Sequence, residues 1–389
     1  MFQQAAKRRV FIRGLDLHKV NNDAHCTLES MAAKTVSNAL LDAQMARKEI
    51  GCVVVGNMLS PILQKQSQLA SLVCQAADLE LKDSMTLDAA CGSGGSALRA
   101  GVMAILSGLH DNVLVVGIEQ MKHPSRSELT SALAQASDWK LEGSKGATFV
   151  SLNDLLHTLY LEKHGQNVNP DDFFYFSQNA HSNAMTSAHA LLTGKPLDLD
   201  AYLGSKRLGE NVRLMDACPT ANGCAALVLS SQGIRGEHPV VLGSDCRTEL
   251  LSISKRKEPL VLRGVQESVN NVFAQAGITA QQVDVFEAHD AYSIMSALSL
   301  ESTFVAPGEA LRFAKSGAIK LGGQLPMSTF GGLKARGHPV GASGVYQIGE
   351  LCLQLKGQAG KNQVKHAKIG LTSSFGGAAT TVITHAIGI

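Results

Sequence analysis

LDAACGSGGSALRAGVMAILSG, residues 87–108, followed by NVLVVG at 112–117, reads as a turn, a helix, a short connection and a strand that ends in glycine. The same order returns in GGLKARGHPVGASGVYQIGELCLQLKG at 331–357, followed by KIGLTSSFGG at 368–377, so the chain contains a weak internal repeat. In the first copy Ala97–Leu106 has a single polar residue, Arg99, which predicts a helix covered on all sides. In the second, Ser343, Gln347, Glu350 and Gln354 recur every three or four residues and predict a helix with one face toward solvent or an interface. Two related halves packed back to back would bury the first helix between sheets.

Working outward, runs rich in β-branched residues alternate with longer helical segments: CVVVG at 52–56, PVVLGSD at 239–245, VDVFEAH at 283–289 and AKIGLTSSF at 367–375. The fold class is therefore α/β. Between Met121 and Leu214 the texture becomes polar and aromatic-containing, with Asn-Pro and Gly-Lys-Pro breaks, as expected of an insertion. The expected division is 1–120 with 215–245 as one half, 121–214 as the insertion, and 246–389 as the other half.

Composition bounds the function. The 389 residues carry 35 basic and 33 acidic side chains, a net charge of +2, with 45% hydrophobic and 17% charged residues, which excludes a disordered chain. The basic residues are scattered, and KRR at 7–9 is too short for a nucleic-acid footprint. No apolar run approaches the ~18 residues of a membrane span and the N-terminus has no signal-peptide core, so a cytoplasmic protein without membrane insertion is expected. The eight cysteines lie far apart, with neither C-x-x-C nor zinc spacing, so reduced thiols and no metal are expected.

The chemistry centres on Cys91, between an extended segment and a helix start. Its glycine-rich surroundings suggest a nucleophile elbow in which the glycines make the turn and admit a thioester. A helix N-terminus and a neighbouring imidazolium would lower the thiol and produce thiolate at neutral pH. His289, at the end of a strand in FEAHDAY, and His338, in the Gly-His-Pro turn, lie where α/β sheets place their chemistry. An imidazole can take the thiol proton, and its N–H can hold the oxyanion of a thioester.

These residues resemble the thiolase superfamily, especially its sterol-carrier-protein-type branch. The matches are the Cys91 turn, Glu287-Ala288-His289-Asp290-Ala291, Gly337-His338-Pro339-Val340-Gly341-Ala342-Ser343-Gly344, the Gly376-Gly377 terminus, and Cys218-Pro219-Thr220-Ala221-Asn222-Gly223 where the chain returns from its insertion. The resemblance implies a duplicated five-layer α-β-α-β-α fold with an inserted loop domain, usually a homodimer or a homotetramer. It implies coenzyme A thioesters as substrates and no permanently bound cofactor. It also implies Cys91 as acyl carrier, His338 as its activator, and His289 with His338 around one oxyanion hole. Backbone N–H groups at Cys91 and near Phe375 and Gly376 would form the other hole.

One departure stands out: carbon–carbon bond formation in this family uses a second cysteine, and the chain has Ser373 or Ser374 in one of its places and Ala291 in the other. A serine is too weak an acid to exist as a base at neutral pH without strong activation. A Cys-His-His set also resembles β-ketoacyl synthases, where decarboxylation supplies the carbanion. A thiolase-like acyltransferase working with a small partner protein and a catalytically weak CoA- or lipid-binding subunit are the other readings. Lys206, Arg207 and Arg213 either meet coenzyme A phosphates or form a solvated face, and Ser343 either bonds pantetheine or caps the helix that follows.

Overall fold

The structure is a computed structural model and describes residues 8–389, so Lys7 of the KRR run lies outside the described residues. The first half runs β1 (Phe11–Leu17), α1 (Leu28–Asp42), β2 (Cys52–Gly56), α2 (Ser60–Leu63), α3 (Leu69–Ala76), β3 (Asp83–Leu87), α4 (Ser93–Leu106) and β4 (Asn112–Glu119). Four helices follow, α5 (Arg126–Ala134), α6 (Phe149–His164), α7 (Phe174–Ala184) and α8 (Leu199–Leu203), before β5 (Gly223–Ser230) completes that half. The second half runs β6 (Val240–Thr248), α9 (Arg263–Ala276), β7 (Val285–Glu287), α10 (Ser293–Glu301), α11 (Ala310–Lys315), α12 (Ser343–Leu355), β8 (Ile369–Gly376) and β9 (Thr381–Gly388).

The strand order β3-β2-β4-β5-β1-β6-β9-β8-β7 shows the duplication directly. In both halves two parallel strands, β2 with β4 and β7 with β8, are followed by two antiparallel neighbours. The second half lacks an edge strand matching β3; a single parallel bridge from Phe286 to Met327 stands in its place. The half-sheets join at β1 and β6 through one paired position, Phe11 with Val240. β2 and β4, buried on every residue but one, belong to a sheet covered on both faces, which suits their Val-rich sequence.

Helices supply the other layers. α1 buries Leu28, Met31, Ala32, Val36 and Ala39 at helical spacing against the first half-sheet, with α3 beside it. α9 buries Val265, Val269 and Val272 against β6 and β9, and ends at Gly277, whose φ of +66° suits glycine. Between the half-sheets lie α4, on β2 and β4 and reaching β6 and β9, and α12, on β7 and β8 and reaching β4 and β5. This is the five-layer arrangement.

The two central helices exchange the characters expected of them. α12 is buried along almost its whole length, and α4 emerges at its C-terminal end, where Met103 is 57% exposed. The polar stripe of α12 meets buried partners instead of water: Gln347 bonds the carbonyls of Glu287 and Ala288, Glu350 bonds Arg336 and His189, and Gln354 bonds the carbonyl of Asn362. Periodicity marks a polar face correctly but does not say what it faces.

The helices of residues 121–214 keep a small cluster of their own, Phe174, Leu197 and Tyr202, and share a larger one with the second half. Leu152, Leu156, Tyr160, Phe173 and Phe176 pack in one cluster with Phe286, Leu298 and Phe375 of the second half. The insertion is thereby fixed over the ends of β7 and β8. All eight cysteines are free thiols, and among the described residues no helix is long and apolar enough to cross a membrane.

Candidate active site

The elbow at Cys91 is built by strain at the residue before it. Ala90 has φ +52°, held by the Asp88 carboxylate, which accepts from the Ala90 N–H at 2.8 Å, and by Ser93, whose hydroxyl donates to the Ala90 carbonyl at 2.6 Å. The glycines that follow serve a different purpose from the one expected. A Cβ on Gly94 would lie 2.9 Å from the Gly341 carbonyl oxygen, and one on Gly344 would lie 2.3 Å from the Gly95 nitrogen. Glycine is required there because the N-terminal turns of α4 and α12 touch backbone to backbone. That contact brings Cys91 and His338, each just ahead of one of these helices, to the same point.

The Cys91 sulfur and one nitrogen each of His289 and His338 lie within 4.8 Å of one another. All three residues are buried, and the imidazole rings meet edge to face at 5.2 Å between centroids. Hydrogen bonds assign the tautomers. The Phe375 N–H donates to His289 Nδ1 at 3.2 Å, so the His289 proton sits on Nε2. Ser343 donates its hydroxyl proton to the Pro339 carbonyl at 2.9 Å, so its oxygen accepts from His338 Nδ1–H at 2.7 Å. His338 Nε2 is left as an unprotonated acceptor. The arrangement holds one base, one N–H donor and one thiol, which suits proton transfer and oxyanion stabilisation. It suits a metal poorly, because His289 Nε2 already carries a proton. A second grouping, Cys52, Asp83 and His110, lies away from this cleft, where Asp83 already pairs with His110 at 3.0 Å.

The resting charges differ from those expected. Burial, and then the neighbouring Cys218 and Glu119, push the Cys91 thiol well up. Burial and the Arg336 charge hold His289 down to about 3, and burial, His289 and Arg336 hold His338 well below 6.5. The resting set is a neutral thiol beside two neutral imidazoles, not a thiolate beside an imidazolium: desolvation of an enclosed apolar cleft outweighs the helix N-terminus.

Several expected residues take other positions. The Phe375 N–H is spent on His289 and is not an oxyanion donor. Gly376 packs on Ala89, where a Cβ would come within 2.2 Å of the carbonyl oxygen, and its neighbour Gly377 lines the cleft. Ser373 and Ser374 do not line it: Ser374 donates to Gln347 Oε1 at 2.7 Å, and the buried Ser373 hydroxyl has no partner. Ser343 does not cap α12, whose cap residue is Ala342; fully enclosed, it orients His338. Lys206, Arg207 and Arg213 do not line the cleft at Cys91, where only the acyl end of a thioester would sit. Arg207 bonds the Glu210 carbonyl, Arg213 bonds the Leu203 carbonyl at 2.6 Å, and Lys206 is exposed.

Two residues not singled out from sequence prove central. Glu119, at the end of β4, accepts from the N–H groups of Met58, Leu59 and Gly341 at 3.0, 3.1 and 3.0 Å and from Asn57 at 2.8 Å. It ties the turn after His338 to the first half-sheet, although burial raises its carboxyl to about 7. Cys218 lines the cleft with Cys91 and both histidines. The remaining wall comes largely from the insertion and the start of α10, including Leu133, Phe149, Asn153, Tyr292 and Met295.

The position of Ser343 carries a prediction. Ser343→Ala removes the acceptor that fixes the His338 tautomer, a loss of about 1–3 kcal/mol or ~5- to 150-fold in rate. Alkylation of Cys91 by iodoacetamide, followed by intact-mass measurement, should slow by that factor; an unchanged rate would remove the positioning role.

Residues 19–169 match the family described as "Thiolase, N-terminal domain", and residues 246–388 match "Thiolase C-terminal domain-like". The chain belongs to the thiolase family and is an acyltransferase of that family. It is 32% identical to the acetyl-CoA acetyltransferase of Methanothermobacter thermautotrophicus, over 97% of this chain and 99% of that one. It is 25% identical to human sterol carrier protein 2, over 98% of this chain and 72% of that one. Among solved structures, the Ltp2-ChsH2(DUF35) aldolase matches with a TM-score of 0.84 at 18% identity, covering 98% of this chain and 97% of that one.

Proposed function

We propose that the chain is an acyl-CoA C-acyltransferase that carries an acetyl or other short acyl group as a thioester on Cys91. His338 Nε2 takes the thiol proton as sulfur attacks the thioester carbonyl. In doing so it changes from acceptor to donor, and with His289 Nε2–H it holds the developing oxyanion. Exchange of one thioester for another is close to balanced, so the enzyme needs positioning and oxyanion stabilisation more than driving force. The observation that carries the reading is the meeting of one sulfur and two imidazoles within 4.8 Å with complementary proton positions.

Coenzyme A thioester is the substrate in this reading, with no resident cofactor, and the helices of 121–214 cover the acyl group. The likeness to a methanogen acetyl-CoA acetyltransferase along the whole chain supports acetyl-CoA. The structural likeness to the Ltp2-ChsH2(DUF35) aldolase supports a partner protein of the DUF35 kind, and the family resemblance implies a second copy of this chain. A cytoplasmic location fits coenzyme A chemistry.

Incubation with acetyl-CoA followed by intact-mass measurement tests the reading. Wild type should gain one acetyl group, mapped by peptide analysis to Cys91, and Cys91→Ser should gain none at that position. A wild-type protein that binds acetyl-CoA without any Cys91-dependent gain would instead be a binding subunit.

A further inference from the structure

Condensation of the Cys91-bound acyl group with a second thioester requires removal of a proton from that thioester's α-carbon, and the groups placed so far are all committed. His338 Nε2 serves Cys91, His289 Nε2–H donates to the oxyanion, and both serines at 373 and 374 stand outside the cleft. Two other lining residues titrate, Cys218 and Tyr292. Burial and the two cysteines push the Tyr292 phenol far up, which leaves it the weaker acid of the two.

The backbone places Cys218 deliberately. Residues 217–220 thread between the two histidine-bearing turns. On one side the Cys218 N–H donates to the Ala291 carbonyl at 2.8 Å, and Ala217 bridges Tyr292. On the other, the His338 N–H donates to the Pro219 carbonyl at 3.2 Å, and Thr220 bridges His338. Cys218 is thereby fixed two residues along from His289 on one neighbour and one residue from the partner of His338 on the other. Behind it lies a fully buried lysine, Lys334, whose ammonium donates to the Asp290 carbonyl at 3.0 Å and to Ser296 at 3.3 Å. Burial pushes the Cys218 thiol up to about 12, while the charges of Lys334 and Arg336 oppose that shift.

We infer that Cys218 is the catalytic acid and base for the leaving and entering thioesters, placed beside both histidine turns by the 217–220 segment. This rests on the acyltransferase reading above. In the first half-reaction Cys91 sulfur bonds to the acyl carbon, His338 holds the Cys91 proton, and the departing coenzyme A thiolate takes its proton from Cys218. The Cys218 thiolate so formed then takes a proton from the α-carbon of the entering acetyl-CoA. The resulting carbanion bonds to the acyl carbon, the carbon–sulfur bond to Cys91 breaks, and His338 returns its proton to that sulfur. Every group ends as it began, and no oxidant or metal is consumed.

The half-reactions separate the two ideas. With acetyl-CoA in D2O, the wild type should both acetylate Cys91 and wash deuterium into the acetyl methyl of free acetyl-CoA, the latter followed by mass spectrometry. Cys218→Ala should still acetylate Cys91, only more slowly, because coenzyme A then leaves as its thiolate, and should lose α-carbon exchange and acetoacetyl-CoA formation by ~10²-fold or more, within the range for an acid–base residue. Cys218→Ser, nearly isosteric, should behave alike, and melting curves of both variants establish that they fold. Exchange by Cys218→Ala at the wild-type rate overturns the assignment. So does a wild type that acetylates Cys91 but exchanges no α-protons, an outcome that leaves the acyltransferase reading standing. Absence of acetyl-Cys91 in the wild type defeats both.

Discussion

His338→Ala should slow formation of acetyl-Cys91 by about 10³-fold, inside the 10²–10⁴ range of general-base catalysis, while acetyl-CoA still binds. The size follows from the charges of the closed cleft. The thiol is held up by burial, so bulk water does not supply a useful thiolate population, and His338 Nε2 is the acceptor within reach. The pH profile separates this from an ordinary loss of packing. Transfer from Cys91 to His338 moves a proton within the site and leaves its total charge unchanged. The His338 imidazole is depressed below 6.5, so it stays neutral as the pH falls to that value, and its acid limb lies lower still. Wild-type acylation should therefore stay flat from pH 6.5 to about 8.5, where an uncoupled thiol reacts nearly ten times faster per unit. In His338→Ala the slope of an uncoupled thiol should return. Quenched-flow with intact-mass detection reads both quantities, and a variant within ten-fold of wild type with a flat profile would assign the base elsewhere.

How much of this was legible beforehand depends on the range of each interaction. The α/β class, the duplication and the three residues that the structure brings to one point, Cys91, His289 and His338, follow from local signals, because a β-branched run, a glycine-flanked cysteine and a Gly-His-Pro turn each carry their meaning within a few residues. Contacts made across the fold carried no such mark. Glu119 reads as the end of a strand until Gly341 arrives from 222 positions away to donate to it. Cys218 reads as part of a returning loop until Ala291 and His338 flank it. The same reason misplaced Ser343, whose hydroxyl seemed free at a helix start but is consumed by the ring five residues earlier. The resting charge of Cys91 was misread because neither a helix N-terminus nor a nearby histidine reveals how completely three helical layers and the insertion exclude water from it.

The largest stability effect belongs to Arg336, two residues before His338 and fully buried. Its guanidinium bonds Glu350 at 2.6 Å and lies over the Tyr346 ring at 5.1 Å; Glu350 in turn bonds His189 at 2.8 Å. The Arg336 carbonyl also accepts from the Leu191 N–H at 2.9 Å, so this one residue joins the Gly-His-Pro turn, α12 and the end of the insertion. Arg336→Ala leaves a carboxylate in the interior without its cation, and such losses cost about 3–5 kcal/mol. Arg336→Met with Glu350→Leu removes both charges and should recover most of that loss, because a well-packed apolar pair replaces an ion pair at little net cost. Urea unfolding of wild type, Arg336→Met, Glu350→Leu and the double variant forms the cycle. Additive destabilisation, with the double variant weaker than either single one, would mean that the pair is not coupled. Arg336 also helps hold both active-site imidazoles neutral, so the double variant should move the acid limb of acylation upward even where its stability has returned. The ion pair then serves the chemistry as well as the fold: its positive charge adds to burial and His289 in keeping His338 unprotonated.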